Sequence, residues 1–358
     1  MNLEDRLQLI RSVGEEIVTE EELRALLEAK ANPIAYDGFE PSGNIHIAQG
    51  ILRAINVNKM TKAGCRFKMF VADWHAWANN KLGGDLEKIQ TTGHYLMEVW
   101  KATGMDLENV DFVWASEFVT DEEYWKKVMN IARDASLDRV LRTTQIMGRS
   151  EKDKLSAAQI LYPCMQAADI FHLKADITQL GMDQRKVNML AREVGPKLGF
   201  WKPVVVSHHM LMGLAQPPPP DAPAEERALA MKMSKSNPGN AIFMTDTAQD
   251  VEAKLKKAYC PEKQVEDNPV LEWNRYMIFE RFPVVRVERP EKFGGTVEFH
   301  SYAELEASYR EGKLHPMDLK KTTGMYINQM LDPVRKHFET NDRARELLAQ
   351  VKSFQVTR

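Results

Sequence analysis

The sequence predicts an α/β fold, a parallel sheet carrying a helical insertion and followed by a mainly α-helical C-terminal domain. Short apolar runs alternate with helix-length amphipathic stretches over about 33–115, and the alternation resumes over 176–207. That alternation is the signature of parallel strands joined by crossover helices. Between the two stretches, residues 121–154 are charged and helical in period, and from about 251 onward helices dominate. A chain of 358 residues exceeds one small core. The expected units are N-terminal helices over 1–30, a Rossmann-like domain over 31–250 with an insertion over about 115–165, and a separate C-terminal domain over 251–358.

Leu7, Ile10, Val13 and Ile17 recur at helical spacing, and Thr19 with Glu22 forms a capping box for a second helix. Residues 33–39 read as a buried strand running into a turn, 45–63 as the helix after it, and 65–73 as a second apolar strand. A strong amphipathic helix is expected over 86–103 and a short strand over 112–115. Sheet grammar returns at 176–180 and 203–207. Residues 216–228 contain four consecutive prolines, a polyproline-like tether that predicts a mobile loop just after it. Within the helical tail, 281–287 and 294–299 are possible strands, and no internal repeat is present.

No run reaches the roughly 20 apolar residues of a membrane span, and the first 30 residues lack the basic start and apolar middle of a signal peptide. The expectation is a soluble, cytoplasmic protein without a membrane partner. Cys65, Cys164 and Cys260 show no Cys-x-x-Cys pair or zinc spacing, so free buried thiols and no protein-held metal are expected. A net charge of −3 argues against a generic polyanion binder. Local basic groups remain for a specific RNA contact: Arg149, Lys152 and Lys154, Arg185 with Lys186, and Lys313, Lys320 and Lys321. Taken singly, each is a solvated face.

Two distant segments point to chemistry on a triphosphate. Gly38-Phe39-Glu40-Pro41-Ser42-Gly43-Asn44-Ile45-His46 places an imidazole at the head of a helix, whose free N–H groups and dipole favour an anion. Some two hundred residues later, Lys232-Met233-Ser234-Lys235-Ser236 offers two lysines that could close over a leaving pyrophosphate together with Mg²⁺. Either segment alone is weak; the pair in this order is strong. A third element is the stripe Tyr162, Gln166 and Asp169, on one face of a helix whose other positions are apolar or small. Such a helix is buried, so its polar stripe must meet partners, and a small polar ligand is an economical one. Gly181-Met182-Asp183-Gln184 follows the next strand, where glycine admits a ligand to the backbone and a carboxylate can take ribose hydroxyls.

With these residues in view, the chain resembles the class I tyrosyl-tRNA synthetases of the archaeal and eukaryotic cytosolic type. The likeness spans nearly the whole length and is nearest to plant and protist members through Ile45-His46-Ile47-Ala48-Gln49-Gly50, Gln145-Ile146-Met147-Gly148-Arg149 and Ser207-His208-His209-Met210-Leu211. The family's HIGH motif corresponds to His46-Ile47-Ala48-Gln49, departing at its last two positions, while the KMSKS motif is intact. The resemblance implies that Tyr36 and Asp169 bond the phenolic hydroxyl of tyrosine and that Tyr162, Gln166 and Gln184 hold its ammonium. It implies that Gly38, Phe70, His75 and Phe118 wall the pocket. ATP would meet Gly43, His46, Ala48, Gln49, Asp183, Met210, Leu211, Lys232, Met233, Ser234 and Lys235, with His46, Lys232 and Lys235 catalytic. Phe293, His315 and Asp318 would read the first anticodon base of tRNA(Tyr), and Arg185 the acceptor stem. A homodimer built through the insertion is implied as well.

Three rivals bear on that reading. A tryptophanyl-tRNA synthetase shares fold and motifs, but Tyr36 with Asp169 suits a phenol rather than an indole. A noncatalytic RNA-binding relative would not need Lys232, Lys235, His46 and Gln184 intact. A pantothenate-synthetase-like enzyme would leave Phe293 and Asp318 without a task.

Overall fold

The computed structural model describes all residues except 149–153, 224–226, 228–229, 236 and 355–358. Arg149, Lys152 and Ser236 therefore lie outside the described residues. The chain opens with α1 (Leu3–Arg11), β1 (Gly14–Val18), α2 (Glu20–Ala29) and β2 (Ile34–Phe39). It continues with α3 (Arg53–Lys62), β3 (Arg66–Val71), α4 (Asp73–Ala78), α5 (Leu86–Ala102) and β4 (Val110–Trp114). The insertion supplies α6 (Glu122–Asp134) and α7 (Leu137–Thr143), and then come α8 (Ala157–His172), β5 (Ile177–Thr178), α9 (Arg185–Val194) and β6 (Val204–His208).

The first 30 residues are not helices alone, as their spacing suggested. Gly14–Val18 is a strand paired antiparallel with β6, so this segment extends the main sheet. Its helical spacing arose from two short helices flanking a strand. The capping box does open α2, with Thr19 accepting from the Glu22 N–H.

The main sheet runs β1-β6-β5-β2-β3-β4, with every neighbour parallel except β1. The chain winds outward from β2 through β3 to β4, then returns to lay β5 on the other side of β2. In such a sheet the crevice at the carboxyl ends of the strands where winding reverses is the natural ligand site. Here it lies between the ends of β2 and β5.

The tail contains α10 (Ala248–Lys257), α11 (Pro269–Trp273), α12 (Phe279–Arg281), β7 (Val285–Val287), β8 (Val297–Phe299), α13 (Tyr302–Arg310), α14 (Pro316–Thr340) and α15 (Asp342–Ser353). The two possible strands form an antiparallel pair. One continuous core runs from Leu7 and the sheet through Trp273 and Leu331 to Val351, so the tail packs on the sheet's helices rather than standing apart. A second core surrounds α6 and α8 and includes Tyr36 and Phe70. All three cysteines are free and buried. Among the described residues no helix is long and apolar enough to cross a membrane.

Candidate active site

A cavity of about 720 Å³ opens at the reversal point of the sheet, within the range of small-ligand sites. Its floor comes from the end of β2 (Tyr36, Asp37, Gly38) and from α8, its sides from the residues after β5, and its roof from Ala230, residues 232–235, Asn237 and Asn240. Helix α8 is started by a reciprocal cap between Ser156 and Gln159. Its apolar faces are buried on both sides, which turns Tyr162, Gln166 and Asp169 into the cavity.

At the deep end the Asp169 carboxylate is fully buried. The Tyr124 hydroxyl donates to its Oδ1 at 3.0 Å, and His75 Nε2 stands 2.9 Å from its Oδ2. The two form a buried ion pair that is not a well-angled hydrogen bond, and Tyr36 Oη beside them is buried without a hydrogen-bond partner among the described residues. Buried polar atoms are rarely left so, and together they fit a ligand group that both donates and accepts. Burial pushes the Tyr36 hydroxyl pKa far up, and the Asp169 charge adds to it, so Tyr36 stays protonated. Burial presses the His75 pKa down, but Asp169, Glu40 and Asp73 outweigh it and the net shift is upward. Phe70 meets His75 edge-on at 5.6 Å, and the Tyr162 ring meets it likewise at 5.2 Å. Gln166 donates to Gln184, which donates to the Ile146 carbonyl, so both amides are oriented before any ligand enters.

At the shallow end, His46 precedes a π-helical turn, Ala48–Leu52, and its carbonyl accepts from the N–H groups of Gln49 and Gly50. Its ring is buried, with Nδ1 unpartnered among the described residues, as are Asn44 Oδ1 and Gln49 Oε1. Burial, then Lys235 and Lys232, lower the His46 pKa to about 3, so the ring is a neutral donor. The lysine loop is anchored at both ends. Met233 N–H bonds the Leu211 carbonyl and Met212 bridges Lys232 on one side, while 242–244 pair with 45–47 on the other. The described residues of this loop, 232–235, thus border the cavity. Lys232 Nζ is 3.2 Å from Asp183, and Lys235 Nζ donates to Ser42 Oγ at 3.1 Å. Burial, with Lys81 nearby and Glu40 opposing, lowers the Lys235 pKa to about 7.

A model of the class I tRNA synthetases for tryptophan and tyrosine matches residues 28–332. The chain belongs to that family. Among curated relatives, cytoplasmic tyrosine–tRNA ligase 1 of Arabidopsis thaliana is 54% identical over 99% of this chain and 90% of its own length. Among solved structures, the Pyrococcus horikoshii tyrosyl-tRNA synthetase complexed with L-tyrosine superposes with a TM-score of 0.91 at 40% identity, covering 98% of this chain and 100% of that one. The Leishmania major tyrosyl-tRNA synthetase in complex with tyrosinol gives 0.90 at 46% identity, covering 99% of this chain and 61% of that one. A tryptophanyl-tRNA synthetase of Aeropyrum pernix, at 17% identity and a TM-score of 0.65, shares the fold alone.

In this synthetase the cavity gathers Tyr36, Gly38, Phe70, His75, Tyr162, Gln166, Asp169 and Gln184 at one end. His46, Ala48, Gln49, Asp183, Met210, Leu211, Lys232, Met233, Ser234 and Lys235 line the other. Two expected residues do not line it. Phe118 stacks behind Phe70 at 5.7 Å and backs the wall rather than forming it. Gly43 instead takes a φ of 116° that turns the chain toward His46, a conformation L side chains avoid.

Arg185 lies outside the cavity, in an exposed ion pair with Glu16 of β1 at 2.7 Å. Phe293 is 61% exposed, under the Lys292 ammonium at 4.9 Å. His315 caps α14, its Nδ1 accepting from Met317 N–H, and Asp318 sits in that helix's first turn. Arg289 staples the two segments, donating to the carbonyls of Gly295 and Lys313.

Sequence reasoning missed Tyr124 behind the pocket, Lys81 and Glu40 in its wall, and Asp37 with Arg53 on its floor. Buried Arg53 pairs with Asp37 and bonds Gln179, and Gln179 Nε2 is 3.0 Å from His208 Nδ1. Burial raises the Asp37 pKa to about 6 despite Arg53. The available signal was one charge within an apolar strand, Asp37 of β2, and one at the apolar start of α3, Arg53.

Proposed function

We propose that the chain is a tyrosine–tRNA ligase, activating L-tyrosine with ATP and passing the tyrosyl group to tRNA(Tyr). The observation that supports it is the buried pair at the deep end, Tyr36 Oη without a hydrogen-bond partner and the Asp169 carboxylate, whose Oδ2 accepts no hydrogen bond among the described residues. A phenol hydroxyl donates to the carboxylate and accepts from Tyr36, while an indole N–H can only donate. Phenylalanine would leave Tyr36 Oη unpaired and give the Asp169 carboxylate no further donor, which is costly. Tyrosyl-tRNA synthetases are themselves the standard illustration of such discrimination. Tyr162, Gln166 and Gln184 hold the substrate ammonium.

In the first step a tyrosine carboxylate oxygen forms a bond to the α-phosphorus of ATP while the bond to pyrophosphate breaks, leaving tyrosyl-adenylate. No protein nucleophile takes part, so catalysis is positioning and charge stabilisation. Neutral His46 donates to the reacting phosphate, Lys232 and Lys235 neutralise the departing pyrophosphate, and Asp183 takes the ribose hydroxyls. Mg²⁺ carried on the phosphates would add positive charge there. In the second step a terminal ribose hydroxyl of the tRNA attacks the tyrosyl carbonyl and AMP leaves. Residues 31–250 act as the catalytic domain and 251–358 as the anticodon-binding domain, where Phe293 stacks on the first anticodon base and His315 and Asp318 bond its edge. Arg185 serves the acceptor stem once released from Glu16. A homodimer through 115–165 completes the assembly. ATP–pyrophosphate exchange tests the reading: it should respond to tyrosine and not to tryptophan or phenylalanine, and exchange with tryptophan alone would overturn it.

A further inference from the structure

The cavity's ATP side is joined to the C-terminal helices through one side chain. His209, directly after β6, places its Nδ1 3.1 Å from Glu15 of β1 and its Nε2 3.1 Å from Glu272 of α11. Its ring stacks on Tyr276 at 4.4 Å and 10°, and the Arg275 guanidinium lies 5.2 Å from the same tyrosine ring. Three parts of the chain that are remote in sequence therefore converge on one imidazole. Glu272 does a second thing: it accepts from the backbone N–H of Met212 at 2.5 Å. Met212 bridges Lys232, and its carbonyl accepts from the buried Trp273 indole at 2.9 Å. Both nitrogens of the His209 ring face carboxylates, Nδ1 in a hydrogen bond with Glu15 and Nε2 in an ion pair with Glu272 that is not a well-angled hydrogen bond, while the ring itself borders the cavity.

We propose that His209 is a positioning residue for ATP: clamped between Glu15 and Glu272, it fixes residues 210–212, and through them the lysine loop, against the C-terminal helices. The inference rests on the ligase reading above. Two carboxylates about one imidazole favour the imidazolium. Burial opposes the charge, but Glu15 and Glu272 prevail and the His209 pKa rises to about 9. The other titratable neighbours are His208, whose burial and proximity to Arg53 hold it neutral, and Tyr276. The raised folded value means the clamp is complete below the ordinary histidine pKa of about 6.5 and is lost as pH rises through about 9.

The test is ATP–pyrophosphate exchange on His209→Gln, Glu272→Gln and the double variant, with KM measured separately for ATP and tyrosine from pH 7 to 10. Glu272→Gln keeps an oxygen for the Met212 N–H but removes the charge facing His209, and it serves where His209→Gln fails to fold. Each single variant should raise the KM for ATP about 10-fold at pH 7 and leave that for tyrosine unchanged. The double variant should be no worse than either single one, because they share one interaction. The ratio of variant to wild-type KM for ATP should fall toward one above pH 9, where the wild-type clamp is itself discharged. Additive effects, a pH-independent ratio or an equal rise in both KM values would each overturn the proposal. A wild-type protein silent with tyrosine would instead overturn the ligase reading, whereas active wild type with unaffected variants removes only His209's role.

Discussion

At the scale of single residues, the two ends of the cavity work by opposite electrostatics. Asp169 is a charge kept in a buried place by His75 and Tyr124, and what it lacks is one further donor. Asp169→Asn keeps the shape and the acceptor for Tyr124 but loses the charge. Exchange with tyrosine should fall by about 10- to 100-fold in kcat/KM, the worth of one charged hydrogen bond, while phenylalanine is barely affected. Unchanged selectivity in that assay would remove Asp169 from recognition. At the other end Lys235 is a cation short of negative charge. With its pKa lowered to about 7, its charge is only weakly held near neutral pH. An incoming triphosphate restores the charge, so ATP binding between pH 7 and 9 should take up a proton and this uptake should vanish in Lys235→Met. Calorimetry in buffers of different ionisation enthalpy reads it directly, and buffer-independent heats would refute it.

Among the elements, α8 was the most legible, because an apolar helix with one polar stripe has little choice but to turn that stripe toward polar partners, here the cavity and its lining. Strand β1 was the least legible. Gly14-Glu15-Glu16-Ile17-Val18 has two adjacent glutamates and no alternation, and its strand state is set by backbone pairing with β6. Helix α5 shows how tightly the remaining elements are fitted. A Cβ on Gly93 would stand 2.5 Å from the Trp114 ring of β4 and 2.9 Å from Val71 of β3. Gly93→Ala gains about 1 kcal/mol in helix propensity, yet overpacking costs about 1–3 kcal/mol, so the net effect should be destabilising. Chemical denaturation measures it, and a more stable variant would show that the sheet can yield.

For the whole molecule, the continuous core from sheet to tail packs the domain proposed to read the anticodon against the one proposed to hold ATP. Their chemistry should still separate. Asp318→Ala should lower the rate of tRNA charging by about 10-fold and leave pyrophosphate exchange untouched, since a carboxylate at a base edge is worth about 1–3 kcal/mol. Equal losses in the two assays would contradict a distinct anticodon site. The sequence by itself determined the layered α/β class, the helical tail, and the residue types of the cavity, because periodicity and motif spacing are local properties. Only the tertiary structure decided that β1 joins the sheet, that Phe118 supports the wall from behind, that Arg185 is held by Glu16, and that Tyr124 and His75 flank Asp169. Each of those depends on groups far apart in the chain, whose meeting is set by which faces pack together and not by any pattern that neighbouring residues spell out.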